Sequence, residues 1–214
     1  MPSFDSVLNA FVTLFVTIDP VGNAPLFLGL TAGMAAPERR MIAMRGVIVA
    51  FFILSLFALT GTAILDAMGI TINAFRVAGG LLLFVTAFEM IYGQRQERKA
   101  QTSESALKDQ LADIAVFPLG IPLIAGPGAI SATILLSSQM ATGSDPSRWI
   151  GTILLIGVIF VLLAGTGLVL IGAEFVDKYI GNTARMVLTR LLGVLLAALC
   201  VQYVADGALA LFTK

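Results

Sequence analysis

Two short stretches hold the residues whose types and spacing could do chemistry. In TIDPVGNAPLFL (17–28) they are Asp19, Pro20, Gly22, Asn23 and Pro25; in PLGIPLIAGPGAIS (118–131) they are Gly126, Pro127, Gly128 and Ser131. Proline lacks the N–H that would bond four residues back. Pro20 and Pro25 therefore free the carbonyls of Val16 and Val21, and Pro118, Pro122 and Pro127 free those of Ile114, Pro118 and Leu123. Gly22, Gly126 and Gly128 let the chain bend there. Helices broken at these points would start again around 23–26 and 129–131, presenting free N–H groups that suit an anion. Freed carbonyls and the Asp19 carboxylate suit a cation: a proton, Na⁺ or an ammonium group. Donors on one side and a carboxylate on the other match a zwitterion, and an amino acid is the simplest one.

Each of these residues also has a plainer reading. Asp19 could cap a half-helix beginning near Val21 through its side chain. The prolines and glycines could simply kink helices for packing. Asn23, Ser131 and Thr133 serve equally well as interhelical hydrogen-bonding groups. Catalysis is a poorer fit. The chain has no histidine and a single cysteine, Cys200, so no Ser–His or Cys–His pair exists. An aspartyl protease needs two neighbouring carboxylates, and only Asp19 lies centrally in an apolar run. No GxxxxGK[ST] phosphate loop occurs. The chain is not expected to be an enzyme, and no cofactor is expected beyond a coupling H⁺ or Na⁺.

The elements that position these stretches are membrane helices. Charged residues make up 12% of the 214 positions and hydrophobic residues 58%, with a mean hydropathy of +0.96. Soluble domains carry about 25% charged residues. Runs long enough to cross a bilayer, about 20 residues each, occur near 7–30, 42–65, 74–92, 114–139, 150–172 and 186–212. The N-terminus has no basic residue and does not resemble a signal peptide. The segment 94–113 reads as a polar connection, mobile and with room for a short amphipathic helix.

Basic residues set the expected orientation. Arg39, Arg40, Arg45, Arg95, Arg98, Lys99, Lys108, Lys178 and Arg185 fall on one face, against Arg76, Arg148 and Lys214 on the other. The richer face is expected in the cytoplasm, with both termini periplasmic. Zero net charge gives no sign of nucleic-acid binding. The expected partners are the bilayer and a small solute, with homo-oligomerisation left open.

The two interrupted runs also suggest a duplication. Pro20 and Pro127 are 107 residues apart, while Arg76-Val-Ala-Gly79 and Arg190-Leu-Leu-Gly193 are 114 apart, as are Gly93 and Gly207. A duplicated three-helix unit enters the membrane upside down in its second copy, as in secondary transporters whose sites lie where broken helices meet. The expected fold is an all-α integral membrane protein of one polytopic domain, 1–214. Six transmembrane helices form a 3+3 inverted-topology repeat, with helices 1 and 4 broken near midplane. Repeat 1 covers about 1–93, the cytoplasmic connection about 94–113 and repeat 2 about 114–214.

DPVGNAPLFL, RVAGGLLLF and PLGIPLIAGPGAIS resemble the MarC family of bacterial inner-membrane proteins, and the likeness runs over essentially the whole chain. The resemblance implies an inner-membrane location. It also implies kinship with a branch regarded as transporters of small neutral amino acids such as glycine or alanine. The expected function is secondary transport of a small zwitterion, imported or exported. A passive channel and a non-transporting scaffold or sensor are the alternatives.

Overall fold

Proline and glycine divide the apolar runs into helices. The computed structural model describes residues 4–108, 113–140 and 147–213, and every regular element among them is helical. The first run is two helices, α1 (Phe4–Ile18) and α2 (Pro20–Leu30), joined at Asp19, whose backbone is left-handed (φ 58°, ψ 64°). Pro20 suits the first position of a helix, where its missing N–H would have had no partner. Next come α3 (Ala36–Ala67) and α4 (Ile72–Tyr92). Thr71 caps α4, its hydroxyl accepting from the Ala74 N–H at 3.2 Å. Gly93, left-handed at φ 80°, turns the chain from α4 into α5 (Gln94–Lys108).

The segment Ala115–Ile124 is wound irregularly. Phe117 and Ile121 are extended, each preceding a cis-proline, and the carbonyl of Ile114 is bonded five residues on by Leu119 N–H. The chain then bends by 59° into α6 (Pro127–Met140). It ends with α7 (Ser147–Ile171) and α8 (Ala173–Phe212), the latter interrupted at Gly181.

Among the described residues five runs are long and apolar enough to cross a membrane: Phe4–Leu30, Ala36–Ala67, Ile72–Tyr92, Trp149–Ile171 and Thr183–Phe212. The bent pair, counted as one span, makes a sixth. The 21 residues of α4 rise about 31 Å, the thickness of a hydrocarbon core. Phe52, Phe160 and Leu195 are among many large apolar residues left exposed on the outside, where lipid rather than water would meet them. One expectation changes: the polar connection after α4 is a helix, and α5 packs against α2, α4 and Ala115–Ile124. Its exposed face carries Glu97 and Arg98 while Arg95 and Ser103 are buried, so it shields its polar backbone and still finds a packing surface.

The packing exchanges partners in a regular way. α3 lies on α7 and α4 on α8; the first span touches α7 and α8, whereas the bent fourth span touches α3 and α4. In the α4–α8 pair, Gly80 sits against the Cys200 carbonyl, Tyr203 Cβ and the Val204 side chain. Gly193 sits against the Ala87 carbonyl, Met90 Cβ and the Ile91 side chain. Gly80 and Gly193 are 113 residues apart, and so are Ala87 and Cys200, Met90 and Tyr203, and Ile91 and Val204. Any Cβ at either glycine would lie within about 3.3 Å of the facing helix, so small residues set this close approach.

Candidate functional site

The left-handed turn at Asp19 points its carboxylate back over the start of α2. Oδ1 accepts from Gly22 N–H at 3.0 Å, and the Asn23 N–H bonds the Asp19 carbonyl at 3.1 Å. Asp19 is thus an N-cap, and the Gly22 and Asn23 N–H groups are taken up by Asp19 where the sequence placed a half-helix end near Asn23. The same carboxylate also meets cations. Oδ2 lies 3.7 Å from Lys99 Nζ, 3.9 Å from Arg95 Nε and 3.4 Å from Gln96 Nε2, all from α5. Asp19 therefore both caps α2 and pairs with the protein's own cations.

Asn23 is the joint between the two broken spans. Completely buried, it donates through Nδ2 to the Ile18 carbonyl at 2.9 Å and to the Leu123 carbonyl at 3.3 Å. Leu123 is the residue whose carbonyl Pro127 frees, so one amide takes up an acceptor that the fourth span cannot satisfy. Asn23 Oδ1 accepts from Lys99 Nζ at 2.8 Å. Gly22 is required by this arrangement, since a Cβ there would collide with the Asp19 carboxylate and the Gln96 amide.

Beside this cluster lies a cavity of about 360 Å³. Its walls are Thr86 and neighbours on α4, Arg95, Arg98, Lys99 and Thr102 on α5, Thr17 on α1, and the bend from Pro122 to Ala129. Gly126, Pro127 and Gly128 line it as the sequence leads one to expect. Pro20 is buried at the start of α2, behind Asp19. Pro25, half-buried inside α2, and Ser131, buried a turn into α6, are not among the lining residues, and neither are Asp19, Pro20, Gly22 and Asn23; Thr17 is the first span's contribution to the wall. Thr133 bonds the Ala129 carbonyl within its own helix. α6 begins at Pro127, earlier than the expected 129–131, so its unbonded donors are the N–H groups of Gly128 and Ala129; the first intrahelical bond is Ile130 N–H to the Gly126 carbonyl.

Charge is unevenly distributed around the cavity. A terminal nitrogen of the Arg95 guanidinium donates to the Thr17 carbonyl, while its buried Nε has no hydrogen-bond acceptor. Burial pulls Arg95 down from its ordinary pKa, against the attraction of Asp19. Burial, then repulsion from Arg95, lowers the Lys99 ammonium from 10.5 to about 7, again against Asp19. Arg98 is more exposed and pairs with Glu89 of α4 at 2.6 Å. Among the described residues no group of three or more His, Cys, Asp or Glu is placed to hold a metal ion.

Arg95, Gln96, Lys99 and Thr86 are the site residues that sequence reasoning missed. The signal was present in the spacing: Arg95, Arg98 and Lys99 stand three and four residues apart, on one face of any helix. Read as loop charges, they report only orientation.

Comparison with known proteins places the whole chain. Residues 4–212 match the family described as MarC family integral membrane protein. The chain is 34% identical over 211 residues to the UPF0056 membrane protein YvbG of Bacillus subtilis, covering 98% of this chain and 97% of that one. It is 39% identical over 199 residues to the UPF0056 membrane protein MJ1677 of Methanocaldococcus jannaschii, with 92% and 93% covered. The UPF0056 membrane protein BU267 of Buchnera aphidicola is 36% identical over 209 residues, with 96% and 93% covered. No solved structure matches. With the family match spanning almost every residue, this multi-pass chain belongs to the MarC family of integral membrane proteins.

Proposed function

We propose that the protein is a secondary transporter of a small zwitterionic solute, of the glycine or alanine type, in the bacterial inner membrane. One observation carries this reading: two broken spans, tied together by Asn23, adjoin a cavity lined by Arg95, Arg98 and Lys99 inside an otherwise apolar bundle. Buried ionisable groups in membrane helices are costly and mark ion or solute pathways. Asp19 takes the coupling ion, H⁺ or Na⁺, or the solute ammonium, and in doing so displaces Lys99, whose Nζ stands 3.7 Å away. The N–H groups at the start of α6 receive the carboxylate. The absence of histidine and the burial of Cys200 favour transport over catalysis.

The inverted repeat belongs to the same proposal. Reciprocal packing of Gly80 and Gly193, and the exchange of partners between the first and fourth spans, support two three-helix units related by a two-fold axis in the membrane plane. The face rich in Arg and Lys is cytoplasmic and both termini are periplasmic. Rocking of one unit against the other would alternate access to the cavity.

Reconstitution into liposomes tests the proposal. Radiolabelled glycine and alanine should show saturable uptake that responds to an imposed pH gradient and is lost in Asp19→Asn. Flux no greater than in empty liposomes, from protein shown to be folded, would end the amino-acid assignment. Non-saturating flux would make the protein a channel.

A further inference from the structure

The cavity carries more positive charge than the bundle neutralises. Three cations line it, Arg95, Arg98 and Lys99, while the carboxylates paired with them are two, Asp19 and Glu89. One positive charge is left over when Lys99, whose pKa is lowered to about 7, carries its proton. It is concentrated on the inner wall, because Arg98 and Glu89 satisfy each other at 2.6 Å towards the outside, where the Arg98 side chain is 65% exposed. Arg95 is 8% exposed, yet its Nε–H has no acceptor; Asp19 Oδ2 at 3.9 Å is an ion-pair neighbour beyond hydrogen-bond reach. A buried guanidinium N–H left unmatched is unusual in a finished structure. Across the cavity the N–H groups of Gly128 and Ala129 have no carbonyl within α6 to bond, and the helix dipole adds partial positive charge at that point. Thr86 lies between the two walls, its hydroxyl within 3.2 Å of where a Cβ on Gly128 would stand.

We propose that this cavity is a binding site for a small monoanion, the carboxylate of the solute, held between Arg95 of α5 and the first N–H groups of α6. A single negative charge cancels the surplus. A carboxylate has two acceptor oxygens, one for each wall. A volume of about 360 Å³ admits a solute of a few heavy atoms, at the small end of ligand pockets. The identification of the ligand as the transported solute rests on the transport reading; the anion site itself does not. The consequence is a specificity that reading lacks: the carboxylate is sufficient for binding, so a short monocarboxylate without an amine occupies the site and competes with glycine. Arg95 is a solute-binding residue, and Asp19 also positions it.

Equilibrium dialysis on the full chain in nanodiscs of zwitterionic lipid tests this without measuring flux. The probes are radiolabelled propionate, glycine and inorganic phosphate. Wild type should bind propionate saturably, with glycine competing and phosphate at least tenfold weaker. Arg95→Gln alone removes the surplus and leaves Asp19 with Lys99 and the Gly22 N–H, whereas the double variant Arg95→Gln/Asp19→Asn keeps the surplus of the wild type; both should lose propionate binding at least tenfold with their melting profiles retained. A second measurement avoids the charged residues. In Thr86→Cys, propionate should slow labelling by a negatively charged thiosulfonate at least fivefold, with buried Cys200 left unreactive. No propionate binding by wild type, equal binding by the double variant, or unprotected labelling would each overturn the site. Phosphate binding without propionate binding would also overturn it, in favour of a phosphate headgroup or free phosphate, and addition of anionic lipid would tell those two apart. Propionate binding without any glycine flux would leave the site standing and remove the transport reading alone.

Discussion

The two interrupted spans solve the same problem in opposite ways. Both lose backbone hydrogen bonds to proline inside an apolar run. The first span closes its gap locally: one left-handed residue, Asp19, turns the chain and caps the next helix with its own carboxylate. The fourth span stays open. Two extended residues and a 59° bend spread its backbone apart, its prolines free carbonyls, and it borrows Asn23 from the first span to satisfy Leu123. One break supplies charge and the other supplies space. A cavity lined by charge needs both, which explains why neither motif would make a site by itself.

The largest expected effect comes from breaking the charged side. Asp19→Ala removes the cap and leaves Arg95 and Lys99 buried without their counter-charge, at a cost of about 3–5 kcal/mol. Unfolding in mixed micelles would measure it, and a cost under 1 kcal/mol would show that the cations do not depend on Asp19. Cutting the joint comes next. Asn23→Leu keeps the volume but strands the Ile18 and Leu123 carbonyls and Lys99, for about 2–3 kcal/mol. Asn23→Asp should recover part of this through Lys99.

A pair of glycines sharpens the contrast between a tight break and a roomy one. Gly22→Ala drives a Cβ into Asp19 and Gln96 and should cost about 1–3 kcal/mol, partly recovered by adding Gln96→Ala. Gly128→Ala meets only the Thr86 hydroxyl at 3.2 Å and should cost less than about 1 kcal/mol. Equal costs at the two positions would dissolve the distinction.

The smallest effect per step of the measurement is a dependence on pH, spread over several pH units. Lys99 holds its proton less tightly in the fold, at about 7, than in the unfolded chain, at 10.5. Between those values the unfolded chain carries more proton, so stability rises with pH. The gain is complete above 10.5 and is lost as pH falls through about 7. Lys99→Met should remove up to ~1 kcal/mol per pH unit of that slope. An unchanged slope would place Lys99 in water.

Composition and spacing alone determine much of this protein. Five to six membrane spans follow from run lengths, because a bilayer of fixed thickness and a backbone that must satisfy itself leave few other choices. The breaks in the first and fourth spans follow from proline chemistry, and so does the candidacy of Asp19 and of the Gly126–Gly128 bend. Family membership is legible in those same motifs. Tertiary structure decided the rest. A run such as QRQERKAQTSESALK reads as a polar connection because its residues are individually hydrophilic. Only packing against α2, α4 and Ala115–Ile124 shows that one face of it is turned inward, where Arg95 and Lys99 find Asp19 and Asn23 about 76–80 residues earlier in the chain. Such long-range pairings leave no periodic mark in a sequence, since side-chain spacing records which face a residue shares and not what that face will meet.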